Sequence, residues 1–299
     1  MDELVVVALA GFLAAFVDGS LGMGFGPTSS SILLSSGLSP VSVSATVNIA
    51  KVATGVVGGA AHWRFGNVDR RIVIRLAAPG VSGALVGTLI LTNVDGDRLR
   101  PVLAALLFLI GVRILLRFRR PVTSAHPTGG SHVHDLRGVT AAGAVGGVTN
   151  GMIGAWGPVV TPFLLHRGVI PRLVVGSVNT AEIAVAVVAA GSLLTADQHS
   201  LDVSTVVAML VGGVLAAPVA ALTVRRVPAR LLGVLVAGLL LLTNARELAA
   251  WAELGWVRWA IYGTIVAIVG AVAWPSRTPP SGSVDAMPAT SVATDSRSR

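Results

Sequence analysis

Lys51 is the only lysine in this 299-residue chain, and sliding the sequence against itself by 131 positions sets it on Glu182. Asn48 and Asn179 stand three residues before the two charges, and so share their faces if both segments are helical. Ser44 and Ser177 lie on or near the same faces. An ammonium, a carboxylate and two carboxamides spaced in this way have two uses. They can form a buried ion pair that pins two halves of the chain together. Alternatively, Lys51 can attract an anionic substrate while Glu182 carries a proton or acts as a gate. Both readings stay open at this level. Asp18 is a third candidate, because a carboxylate at a helix C-terminus opposes the dipole and so implies a partner or protonation.

Two glycine-rich stretches occupy matching places: "GSLGMGFGP", with Gly22, Gly24 and Gly26, and "NGMIGAWGP", with Gly154, Trp156 and Gly157. Irregular backbone cannot face lipid, where each unpaired N–H or C=O costs several kcal/mol, so such breaks must pack in protein or line a cavity. Short apolar segments, expected to begin at Thr28 and Val159, would then aim helix N-termini and free amides at an anion. The competing reading is that the glycines only allow close helix packing. Trp156 either walls the cavity or fills space that glycines leave. The spacing is not that of a dinucleotide-binding turn, and no strand precedes it.

The elements that must position these residues follow from composition. Hydrophobic residues make up 53% of the chain and charged ones 12%, outside the balance of a soluble domain. Long blocks carry almost no charge, each able to span about 30 Å of hydrocarbon. No charged leader with a cleavage site precedes the first block, which is therefore expected in the mature protein. The pattern predicts helices over 4–17, 41–61, 72–92 and 99–118, with a short segment at 28–36. It predicts the same series again over 138–149, 159–166, 172–194, 203–223 and 230–245, and a last helix at 256–274. Gly26-Pro27, Gly37, Pro40 and Asn48 match Gly157-Pro158, Gly168, Pro171 and Asn179 in the one register.

Loop charge orients the halves. Loop 62–71 carries Arg64, Arg70 and Arg71 against Asp69, while its counterpart 195–202 has Asp197 and Asp202. The next pair reverses the bias: Asp95 and Asp97 beside Arg98, against Arg225, Arg226 and Arg230. By the positive-inside rule corresponding loops lie on opposite sides. The expected fold is therefore an all-α polytopic membrane protein of two inverted helical repeats with broken or re-entrant helices. Repeat one spans 1–118, a cytoplasmic linker 119–137, repeat two 138–246, a final helix 247–274 and a polar cytoplasmic tail 275–299. The N-terminus falls outside and the C-terminus inside. Trp251, Trp256, Trp259 and Trp274 flank the last helix as interfacial aromatics do.

The net charge of +8 belongs to loops at a membrane surface and forms no nucleic-acid footprint. The absence of cysteine excludes disulfides, thiolate metal sites and cysteine nucleophiles. No hydrolase motif is visible, so neither catalytic residues nor cofactors are expected. His126, His132, His134 and Asp135 in the linker could hold a divalent metal, although a short His tract is more often only solvated.

The run "AGFLAAFVDGSLGMGFGPTSSSILLSSGLSPVSVSATVNIAKVATGVVGGAAHWRFGNVD", with "GPVVTPFLLHRGVIPRLVVGSVNTAE" and "GGVLAAPVAALTVRRVPARLL", resembles the TauE/SafE family of sulfite and organosulfonate exporters. The resemblance extends to about residue 274, and it departs from the family at Pro27, where glycine is common. It implies a bacterial inner-membrane transporter of small sulfur-containing anions. The expectation is a secondary transporter working by alternating access, with a small anion, the lipid bilayer and possible coupled protons as partners. Two other readings are a divalent-metal exporter using the His-bearing linker and a non-transporting membrane partner protein.

Overall fold

The computed structural model describes residues 2–21, 24–119, 138–196, 202–223 and 228–274. All regular structure among them is helical: α1 (Asp2–Leu21), α2 (Phe25–Ser35), α3 (Pro40–Arg64), α4 (Arg70–Asn93), α5 (Gly96–Arg119), α6 (Val139–Ile153), α7 (Gly157–His166), α8 (Pro171–Ala196), α9 (Val203–Thr223), α10 (Ala229–Trp251) and α11 (Val257–Ala273). Of these α3, α4, α5, α8 and α10 are long and apolar enough to cross a membrane. Large aliphatic side chains remain exposed at helical spacing, as at Val203, Val207, Val211 and Val214 of α9, the outward face that a bilayer would solvate. The chain is an all-helical polytopic membrane protein.

Both short helices begin within the glycine runs that announce the breaks. α2 begins at Phe25 and α7 at Gly157, ahead of the starts expected at Thr28 and Val159. The reason is proline: Pro27 and Pro158 sit in the first turns, where a missing N–H costs no helical bond. α1 ends at Leu21 and α6 at Ile153, so residues 154–156 separate α6 from α7.

Each short helix ends in the same way. Gly37 and Gly168 take left-handed φ values of 99° and 77°. Leu38 N donates to Leu33 O and Gly37 N to Leu34 O; Val169 N donates to Leu164 O and Gly168 N to Leu165 O. These are two Schellman caps, and the 131-residue shift carries each bond of one onto the other. Pro40 and Pro171 then open α3 and α8 at the position where proline is tolerated best.

The largest packing partners interchange the halves: α1 lies on α9 and α6 on α4, while α3 lies on α8 and α5 on α10. The two interchanged contacts are backbone-close. A Cβ at Gly212 of α9 would strike the Ala8 carbonyl of α1, and one at Gly147 of α6 would strike the Gly80 carbonyl of α4. Small residues that let helix backbones approach are how helices associate in lipid. Linker residues 120–137, with the three histidines and Asp135, and the tail from 275 lie outside the described residues. So do Asp197, Arg225 and Arg226.

Candidate functional site

The site is built on the end of α6. A helix leaves its last carbonyls without intrahelical partners, and here donors from the other half of the chain supply them. Ser44 Oγ donates to Gly151 O at 2.6 Å, Ser30 Oγ to Ile153 O at 2.7 Å, and Asn48 Nδ2 to Asn150 O at 3.2 Å. Lys51 Nζ donates to Gly154 O, just past the helix end. A cation at the negative pole of a helix is favourably placed. Gly154 itself is left-handed, with φ 65°, and turns the chain toward α7.

Lys51 is 7% exposed and uses its ammonium three ways: to Gly154 O, to Asn150 Oδ1 at 3.2 Å, and to Glu182 Oε1 in an ion pair between α3 and α8. An ammonium only donates, so Asn150 must present its oxygen to Lys51. Its Nδ2 is thereby committed to Asn48 Oδ1, at 2.7 Å. Asn48 in turn directs its own amide group to Ser44 O at 2.9 Å and to Asn150 O. The relay fixes both carboxamides without ambiguity.

Asp18 finds the partner its position demanded. Its Oδ1 accepts from Gly24 N at 3.0 Å and Phe25 N at 3.4 Å, and so caps α2. Two of the amides in the run expected to bind an external anion, those of Gly24 and Phe25, are therefore held by the chain's own carboxylate. α7 differs. Under the 131-residue shift Asp18 corresponds to Thr149, whose hydroxyl donates to Ala155 O at 2.8 Å. No side chain of its N-cap residue, Trp156, caps α7.

Between these groups lies a cavity of about 150 Å³, lined from both halves by Asp18, Gly24, Gly26, Lys51, Gly154, Gly157, Asn179 and Glu182 among others. The first turn of α2 meets the second break beside it: a Cβ at Gly26 would strike the Gly154 carbonyl and lie 3.1 Å from Lys51 Nζ.

Eight of the thirteen residues singled out in the sequence thus line one cavity. Four others do not. Asn48 and Ser44 are fully buried behind it, in the relay that holds the α6 end. Ser177 faces elsewhere and accepts from Asp69 N at 2.9 Å, anchoring the start of α4. Trp156 is no wall: it is fully buried, donates to Val178 O at 3.2 Å, and fills the space over Gly80 and Gly146. The thirteenth, Gly22, lies outside the described residues. Sequence reasoning missed Asn150, the residue on which Lys51 and Asn48 converge. Its only signal was an asparagine beside the second break, and the 131-residue shift sets it on Gly19. Thr54, Gly55, Gly58 and Ile183 also line the cavity. Among the described residues no group of three metal-ligating side chains comes together; the histidine tract is outside them.

A family model described as "Sulfite exporter TauE/SafE" matches residues 7–247. The chain belongs to the TauE/SafE family. Residues 7–247 take in α2 to α9 whole and α1 and α10 in large part, and with them every residue of the cavity. TauE/SafE membership makes the chain a membrane transporter rather than an enzyme. It is similar to "Probable membrane transporter protein YtnM" of Bacillus subtilis (strain 168), with 39% identity over 256 residues, 83% of each chain. No solved structure matches.

Proposed function

We propose that this TauE/SafE protein moves a small sulfur-containing anion, sulfite or an organosulfonate, across the bacterial inner membrane by alternating access of two inverted repeats. The observation that carries the reading is the cavity itself, set where the first turn of α2 meets the second break and lined from both halves. It is small and polar at one side, with room for an oxyanion and waters. It holds the chain's single lysine and the start of α7, whose N-cap residue Trp156 makes no side-chain cap. The substrate's oxygens sit between the Lys51 ammonium and the N–H of Gly157 at the start of α7, where the positive helix pole favours negative charge. Pro158 has no N–H, and Val159 N donates to Trp156 O. Asn179 and the α3 glycines shape the remaining walls. Asn48, Ser44 and Asn150 hold Lys51 in place from behind.

Loop charge supports an extracellular N-terminus and a cytoplasmic C-terminus, and export is the direction the family's description favours. Glu182 and Asp18 are the candidates for proton coupling or gating in this reading. The test is flux of sulfite and of small organosulfonates into liposomes containing the purified protein. The intact protein transports and Lys51→Met does not; equal rates for the two would remove Lys51 from the anion site.

A further inference from the structure

Among the described residues three ionisable side chains line the cavity: Asp18 from α1, Lys51 from α3 and Glu182 from α8. The parts of α2, α6 and α7 that reach it, and the residue between the last two, add none, contributing Gly24, Phe25, Gly26, Pro27, Gly154, Gly157 and Pro158. The lining therefore holds one positive and two negative charges when all are ionised. The dipole of α2 offsets Asp18, whose carboxylate accepts two of its amides. Glu182 offsets Lys51. A bare anion entering this space would meet a site already balanced, with two carboxylates at hand in a low dielectric where like charges repel strongly.

Lys51 has no spare donor to offer. Its three ammonium hydrogens serve Asn150 Oδ1, Gly154 O and Glu182 Oε1. The first two belong to the relay and the helix end, so an anion reaches the ammonium only in place of Glu182. A carboxylate driven off its cation inside the bilayer is costly unless neutralised.

Resting on the transporter reading above, we infer that each monovalent anion travels with one proton, carried on Glu182, so that transport is electroneutral. Glu182 takes a proton from water on the side to which the cavity is open and becomes a neutral acid. It leaves Lys51, and the anion's oxygens take its place. On the other side the anion departs, the proton returns to water, and the Lys51–Glu182 pair re-forms. Asp18 does not exchange, because its partners are backbone amides of α2 that stay with it.

The experiment uses the full chain in liposomes with isethionate, a strong-acid anion that carries no proton of its own near neutral pH. A pH dye reports the lumen, and potassium with valinomycin sets the voltage. The expected result is uptake accompanied by lumen acidification, one proton per anion, at a rate that does not follow the imposed voltage. In Glu182→Gln, where it folds, acidification is lost and any remaining flux follows voltage. Isethionate uptake by the intact protein without acidification, or at a voltage-dependent rate, overturns the inference while leaving anion transport standing. If sulfite alone moves, the same two readings are taken on sulfite with its own protonation subtracted. If neither anion moves, the transporter reading fails and the inference goes with it.

Discussion

Lys51 and Glu182, whose side chains pair between α3 and α8, are 131 residues apart, the period at which the sequence repeats itself. Positions that the 131-residue shift sets on each other in the sequence thus meet as opposite charges in the structure. Of the two uses that the sequence leaves open, the ion pair is the one these atoms form in the structure.

Removing one member of the pair should be worse than removing both. Lys51→Met strands Glu182, and Glu182→Leu strands Lys51; each single change should cost about 3–5 kcal/mol. The double variant should recover most of that loss. Unfolding of the purified protein in detergent measures it, and additive losses would show that the pair is not a coupled unit.

Asn150→Leu removes an acceptor from Lys51 and a donor from Asn48 Oδ1. Leaving buried groups unsatisfied costs about 1–3 kcal/mol. Because the lysine is then free to turn, anion flux should fall while the protein still purifies folded. Flux equal to that of the unaltered protein would deny Asn150 its positioning role.

Gly26→Ala places a methyl group against the Gly154 carbonyl and beside Lys51 Nζ. Both neighbours are at the core of the site and one is backbone, so α2 and the second break must separate and flux should be lost. Gly191→Ala in α8 is the matched control, with nothing within 4 Å of the added carbon. There alanine should be neutral or slightly stabilising, since it favours helix by up to about 1 kcal/mol. Equal transport by the two variants would argue against close contact of α2 with the second break.

Asp202 precedes α9 and accepts from the backbone N of Ser204 and the hydroxyls of Ser204 and Thr205. Those donors hold its carboxyl below the usual carboxylate range. A depressed value in the folded state means the contribution is present above the unfolded value and is lost as pH falls through the folded one. Hydrogen exchange at the start of α9 should therefore accelerate on acidification, and Asp202→Ala should make that exchange fast at every pH. Exchange in the variant indistinguishable from the unaltered protein would show that the cap does not hold this helix end.

The sequence by itself determined which segments are helical, because runs of apolar residues bounded by charge, proline and glycine are local signals. Even so, α1 and α6 run four residues and α10 six past the expected ends at 17, 149 and 245. It also determined the register that pairs Lys51 with Glu182 and the place of both glycine breaks, because matching glycines, prolines and asparagines survive in the order of residues. Partners were another matter. That Asp18 caps α2, that Asn150 orients Lys51, and that Trp156 and Ser177 turn away from the cavity are contacts between separate segments. No spacing along the chain encodes them, since they depend on which face each helix presents once α3 lies on α8 and α6 on α4. The tertiary structure alone decided that the chain's own carboxylate occupies the start of α2, while among the described residues the N-cap side chain of α7 makes no such bond.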